Sequence, residues 1–147
     1  MKSKNLSEKI LKSVKTMGFK YIELPSVIET NHIVQRSGEN FRKYLFSFYN
    51  SDGKELCLRP DLTISSVLRY AQSKKTFKEK VFYSGNAFRK SYNKRNVLIN
   101  QIGMEIFSSK NEARDDKEIL NTSIKILKNS GYKNAIIKIG NFKLFEL

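Results

Sequence analysis

The stretch from Leu56 to Phe107 constrains this chain more than the rest of it combined. It opens Leu56-Cys57-Leu58-Arg59-Pro60-Asp61-Leu62-Thr63 and passes through Tyr83-Ser84-Gly85-Asn86-Ala87-Phe88-Arg89. It closes on Asn100-Gln101-Ile102-Gly103-Met104-Glu105 and the two residues after it. From Val81 to Arg89, alternate positions carry Val81, Tyr83, Gly85, Ala87 and Arg89. From Val97 to Glu105 they carry Val97, Ile99, Gln101, Gly103 and Glu105. Strand side chains alternate faces with a period of two, so each set can share a face. Paired as a hairpin, the strands turn Arg89, Gln101 and Glu105 toward one space, which Gly85, Ala87 and Gly103 keep open. A sheet face with a polar rim and missing bulk in the middle suits a small molecule.

At 147 residues the chain reads as a single domain, residues 1–147, with material for one core and not two. Its apolar and charged fractions, 39% and 29%, are those of an ordinary soluble protein. No apolar run approaches the roughly 18–20 residues of a membrane span. Met1-Lys2-Ser3-Lys4-Asn5-Leu6-Ser7 lacks the apolar stretch of a signal peptide. The expected location is cytoplasmic, with no membrane partner. Cys57 is the lone cysteine, so no intrachain disulfide forms, and burial as a small hydrophobe is its expected role. His32 is the lone histidine and is read as a turn or surface residue. A metal site or a histidine-based triad therefore lacks material, and no metal, cofactor or catalytic residue is expected.

The formal charge is +14, but Lys and Arg are scattered from Lys2 to Lys143 rather than gathered in a stripe. Nucleic-acid binders concentrate that charge, so direct nucleic-acid binding is not expected. Lys74, Lys75, Lys78 and Lys80, the densest cluster, read as a solvated loop.

Leu6, Ile10, Val14 and Met17 recur at helical spacing, and Gly18 supplies the left-handed stop. Phe19 to Leu24 reads as a strand ended by Pro25. Ser26 to Asn40 shows no clear period. Tyr44 to Tyr49 alternates and is followed by Asn50-Ser51-Asp52-Gly53, a hairpin turn, with Lys54 to Leu58 returning. A helix is expected over Thr63 to Ala71, the long hairpin after it, a helix over Asp115 to Leu127, and a strand over Asn134 to Ile139. That order predicts an α+β domain: an antiparallel-rich mixed sheet flanked by helices.

Asp61, Thr63, Gln101 and Glu105 offer acceptors plus two donors, the amide and the hydroxyl. Arg89 offers a fork suited to a carboxylate or phosphate. Two arrangements fit these five equally well. They can hold a zwitterion, carboxylates taking an ammonium or imidazole and arginine the acid group, or Arg89 and Glu105 can pair with each other inside the sheet. Asp61 has a further simple use, capping the helix that starts at Thr63. No nucleophile with an adjacent base, P-loop or GxGxxG is present.

These motifs resemble the catalytic core of class II aminoacyl-tRNA synthetases, in the histidyl-tRNA synthetase lineage. Gly18 through Pro25 with Glu29 resembles the dimer-forming motif 1. Leu58-Arg59-Pro60-Asp61-Leu62-Thr63 resembles the stretch that grips the amino group of histidine. Tyr83 through Arg89, then Gln101-Ile102-Gly103-Met104-Glu105, resembles motif 2 and the strand that reads the imidazole. The resemblance implies a partial class II catalytic-domain fold and a homodimer through Tyr21 to Glu29. It gives Asp61, Thr63 and Gln101 the amino end of a histidine-like ligand, Glu105 the ring, and Arg89 a carboxylate or phosphate.

The departures from the synthetase pattern point to one branch. Asp61-Leu62 stand where synthetases carry Glu-Gly, and Lys90-Ser91-Tyr92-Asn93-Lys94-Arg95 is shorter than their motif 2 loop and lacks its Glu-Arg-Pro run. Arg95 is the one possible phosphate contact there. No counterpart of motif 3 or of an anticodon-binding domain follows, which implies no activation of amino acids by this chain alone. The Arg-Pro-Asp-Leu-Thr wording looks like the synthetase paralogue that is the regulatory subunit of ATP phosphoribosyltransferase, in the first step of histidine biosynthesis. Ile137-Lys138-Ile139-Gly140-Asn141-Phe142-Lys143-Leu144-Phe145 also resembles that family, Asn141 standing where Asp is usual. The implied role is non-catalytic: to support a short-form catalytic subunit and take part in inhibition by histidine, in a shortened version of the family. The alternative is a fragment of a histidyl-tRNA synthetase catalytic domain.

Overall fold

The computed structural model describes residues 2–91 and 97–132 and, beyond them, residues 134, 136–138 and 140. Helix α1 (Lys2–Thr16) is followed by Gly18 at φ +81°, a conformation that costs glycine little. Strand β1 is only Lys20–Tyr21, shorter than the expected Phe19 to Leu24. The reason lies in its backbone acceptors. The carbonyls of Leu24 and Pro25 accept from the Arg59 guanidinium at 2.6 and 2.9 Å, so they are not available to a sheet ladder.

The stretch without a clear period contains β2 (Val27–Glu29), α2 (Thr30–Ser37) and a 3-10 turn over Glu39–Tyr44. His32 sits on α2 rather than in a turn. Strands β3 (Phe46–Tyr49) and β4 (Glu55–Leu58) form the short hairpin. Its turn is tied by Asn50 Oδ1, which accepts from the amides of Asp52 and Lys54 at 3.1 and 2.8 Å, as asparagine does in turns. Helix α3 (Thr63–Gln72) leads to the long strands β5 (Glu79–Arg89) and β6 (Val97–Phe107). Helix α4 (Glu112–Asn129) is capped by Asn111, whose Oδ1 accepts from Arg114 N at 3.0 Å.

Among the described residues the strands make two three-stranded sheets, β1-β5-β6 and β2-β4-β3. There, only the β1–β5 pairing is parallel, so the fold is α+β, antiparallel-rich and flanked by helices. Apolar clusters hold it. Val14, Phe19, Phe82 and Ile126 join α1 and α4 to the larger sheet. Ile22, Leu62, Val81, Tyr83 and Ala87 pack its other face. Ile28, Ile33, Leu45 and Cys57 fill the smaller sheet's side. Cys57 is fully buried, and burial pushes its thiol pKa up.

The lysine cluster is in part the expected solvated loop, Lys74 and Lys78 being exposed in the link between α3 and β5. Lys75 pairs with Glu79 at 3.0 Å, Lys78 with Asp115 and Lys80 with Glu118. The last two pairs tie α4 to the start of β5, which disperses charge that a polyanion would otherwise meet. The expected strand over Asn134 to Ile139 lies partly outside the described residues, and its described members, 134 and 136–138, carry no strand. Among the described residues no helix is long and apolar enough to cross a membrane.

Candidate functional site

The β5–β6 register pairs Val81 with Glu105, Tyr83 with Gly103, Gly85 with Gln101, Ala87 with Ile99 and Arg89 with Val97. The alternating sets therefore do share one face. Against that face lies the loop Arg59-Pro60-Asp61-Leu62, which leads into α3. Leu62 N donates to Gln101 Oε1 at 3.3 Å, and Arg89 Nε donates to Pro60 O at 2.9 Å. Asp61 Oδ1 accepts from Ile64 N at 3.1 Å, so Asp61 does cap the helix. Thr63 and Tyr83 hydroxyls are 3.1 Å apart, and Tyr83 Oη donates to Glu105 Oε1 at 2.8 Å.

These bonds divide the five expected ligand residues. Asp61, Thr63, Gln101 and Glu105 gather around Tyr83 and Leu62. Arg89 lies at the other end, eight positions along β5 from Val81, the partner of Glu105. At about 3.4 Å per residue that is about 27 Å of strand, more than the two side chains together can span. Among the described residues Arg89 and Glu105 form no ion pair: Arg89 Nε donates to Pro60 O and Glu105 accepts from Tyr83. Arg95 lies outside the described residues.

The glycines also act differently from the expectation. A Cβ on Gly103 would overlap the Tyr83 ring, and one on Gly85 would overlap the Arg59 guanidinium and sit 3.2 Å from Leu62 Cδ2. Ala87 is fully buried. The space that Gly85, Ala87 and Gly103 were expected to keep open is filled by Tyr83, Arg59 and Leu62. The candidate site is the rim beside them, where Thr63 is exposed and Asp61, Gln101 and Glu105 are half-buried.

Two residues central to this geometry escaped the sequence reading. Tyr83 is 1% exposed and links Thr63 to Glu105; the only signal was a large residue facing a glycine across the hairpin. Arg59 is 5% exposed and has backbone carbonyls, those of Leu24, Pro25 and Asn86, as its acceptors among the described residues. Burial lowers its pKa, and a nearby Tyr21 partly offsets that. It binds the segment before β2, the site loop and the middle of β5 into one unit.

Burial raises the Glu105 carboxyl pKa above the ordinary glutamate range, and the hydrogen bond from Tyr83 works against that rise. Burial also pushes the Tyr83 hydroxyl up, with the Glu105 charge adding to it and Thr63 opposing it. Tyr83 thus remains a protonated donor at neutral pH. The rim offers acceptors from Asp61 and Glu105, the Thr63 hydroxyl, and the amide N–H groups of Gln101, whose Oε1 is taken by Leu62 N. It contains no nucleophile–base pair.

The chain matches the family model described as histidyl-tRNA synthetase over residues 1–147. It is 28% identical over 146 residues to the ATP phosphoribosyltransferase regulatory subunit of Lactococcus lactis subsp. lactis, covering 97% of this chain and 42% of that protein. It is 29% identical over 143 residues to the histidine–tRNA ligase of Pyrococcus abyssi, covering 95% and 33%. Among solved structures, an ATP phosphoribosyltransferase regulatory subunit/histidyl-tRNA synthetase from Bacillus halodurans C superposes with a TM-score of 0.75 at 23% identity. That match covers 88% of this chain and 34% of the other, and shows a shared fold. The chain spans 33–42% of the length of these relatives.

Proposed function

This chain belongs to the histidyl-tRNA synthetase family, and from that premise we propose that it is a non-catalytic regulatory subunit of ATP phosphoribosyltransferase, acting in the first step of histidine biosynthesis. The observation that carries the reading is the polar rim of Asp61, Thr63, Gln101 and Glu105, held together through Tyr83 and Leu62. It suits a histidine-like ligand: the imidazole N–H meets Glu105, and the ammonium meets Asp61 and Thr63. Arg89, beyond Pro60 O, stands where an acid group or an attached phosphate would extend from the amino end. The Arg59-Pro60-Asp61-Leu62-Thr63 wording favours the regulatory branch, as does a relative of that name.

The partner in this reading is a short-form catalytic subunit. Two copies of the chain associate through Tyr21 to Glu29, where Tyr21 and Val27 are 46% and 40% exposed and β2 is one of the two edge strands of its sheet. An unpaired strand edge is a ready template for pairing. Residues 1–147 act as one domain, and the place of action is the cytoplasm.

Co-expression with a short-form catalytic subunit tests this. The pair is expected to co-elute on size-exclusion chromatography. Phosphoribosyl transfer to ATP is expected to exceed that of the catalytic subunit alone and to fall when histidine is added. A pair that neither associates nor responds to histidine contradicts the proposal. The likeness to the Pyrococcus abyssi ligase supports a second reading, a piece of a histidyl-tRNA synthetase. That reading requires histidine-dependent ATP–pyrophosphate exchange once the rest of the length is supplied as a second chain, and the regulatory reading expects none.

A further inference from the structure

The face of the larger sheet opposite the rim carries α1 and α4, which leave a groove of about 610 Å³ between them. It lies where Thr16 and Met17, at the end of α1, meet the side of α4 that bears Arg114, Lys117, Asn121 and Lys125. Those four recur at every third or fourth residue, so they form one stripe along the helix. At 1.5 Å of rise per residue the stripe is about 16 Å long. None of the rim residues lines this groove.

Charge and hydrogen bonding here are one-sided. Lys117 and Lys125 are exposed and make no ion pair among the described residues. Arg114 adds a third cation, whose charge also acts on Asp115. Glu118 is the lone carboxylate among the described lining residues, and it is committed to Lys80. The last carbonyls of α1 do not offset the cations, because Val14 O and Lys15 O accept from Met17 N and Gly18 N. Beside the stripe lies Thr122, a lining residue that is 6% exposed and whose hydroxyl makes no hydrogen bond among the described residues. A buried hydroxyl without a partner is costly, and the groove is where a partner can enter. Asn121 adds amide donors.

We infer that this groove binds a chain of linked phosphates, with Arg114, Lys117 and Lys125 holding its charge and the Thr122 hydroxyl donating to one phosphate oxygen. Lysine binds phosphate as a point charge on a flexible stem, and arginine adds a fork of donors. The volume is that of a small-molecule site. Among the described residues no aromatic side chain lines the groove, so a nucleobase finds nothing to stack on. Inorganic tripolyphosphate and the phosphates of a nucleoside triphosphate are therefore equivalent ligands here, and single-stranded nucleic acid is disfavoured. The site stands independently of the histidine-like pocket, on the other face of the sheet.

Calorimetric titration of the full chain at about 0.15 M salt, where attraction to distant surface charge is screened, tests this with sodium tripolyphosphate, ATP and oligothymidylate. The wild-type chain is expected to take up tripolyphosphate and ATP with equal affinity, and oligothymidylate more weakly. Lys117→Gln combined with Lys125→Gln is expected to weaken tripolyphosphate binding by about tenfold or more. Thr122→Val, nearly isosteric and without change of charge, is expected to weaken it about tenfold, the size of one hydrogen bond to a charged group. Arg36→Gln combined with Lys74→Gln removes as much charge at exposed positions outside the groove and is expected to leave the affinity unchanged. No uptake by wild type, or an equal loss in the two double variants, overturns the inference, since the attraction then belongs to the whole chain. Unchanged affinity in Thr122→Val overturns it as well. Tighter binding of oligothymidylate than of tripolyphosphate overturns it in favour of a nucleic-acid surface.

Discussion

Arg59→Ala is expected to lower folding stability by about 3–5 kcal/mol, a large share of the 5–15 kcal/mol typical of a folded domain. The guanidinium donates to Leu24 O at 2.6 Å and to Pro25 O and Asn86 O at 2.9 Å. Truncation orphans three carbonyls at a buried position, each worth about 1–2 kcal/mol, and leaves a void beside Gly85. The backbone of the same residue is tied as well: Arg59 N donates to Ser26 O, and Arg59 O accepts from Phe88 N. Those bonds survive the substitution, so the loss measures the side chain. Urea denaturation followed by circular dichroism reads it as a lower midpoint with an unchanged slope. Arg59→Lys is expected to recover only part, because an ammonium cannot reproduce the planar fork. A loss below about 1 kcal/mol for alanine contradicts the role given to Arg59.

Gly103→Ala is the second large effect, about 1–3 kcal/mol, in the range of overpacked cores. The added methyl occupies the position of the Tyr83 ring edge, and Tyr83 is pinned between Leu62, Val81 and Ala87 in its cluster. Moving the ring also breaks its bonds to Thr63 and Glu105. Residues in contact do not contribute independently, which makes the mechanism testable. The cost of alanine at position 103, measured by denaturant unfolding, is expected to shrink when Tyr83 is already alanine. Equal costs in the two backgrounds contradict the claim that Gly103 makes room for Tyr83.

Much of the architecture was legible where a segment fixes its own period. The 3.6-residue spacing of Leu6, Ile10, Val14 and Met17 gave α1, and the alternation from Val81 to Arg89 and from Val97 to Glu105 gave the long hairpin and its shared face, though not its register. Asn50 to Gly53 marked the short turn because its chemistry is local. Val27–Glu29 and Thr30–Ser37 were illegible for the opposite reason. They are short, and β2 exists through its pairing with Leu56 to Leu58 far along the chain. The site was half legible. Spacing put Arg89, Gln101 and Glu105 on one face, but spacing along a strand also says how far apart residues are, and that separates Arg89 from Glu105. A glycine in a strand announces missing bulk without saying what fills it. Here Arg59 arrives from β4 and Tyr83 from the facing strand, contacts that only the assembled fold supplies.

Calorimetric titration of L-histidine into the wild-type chain and into Glu105→Gln, from neutral pH downward, bears most directly on the histidine-like pocket. Burial raises the Glu105 pKa, so its ionisation costs stability as pH rises, while the attraction it offers a ligand donor is lost as pH falls. Wild type is expected to bind histidine and to lose affinity through that raised carboxyl pKa. Glu105→Gln is expected to bind about tenfold more weakly and without the Glu105-dependent acid loss. Equal affinity and equal pH dependence in the two proteins, or no uptake by wild type, would contradict it.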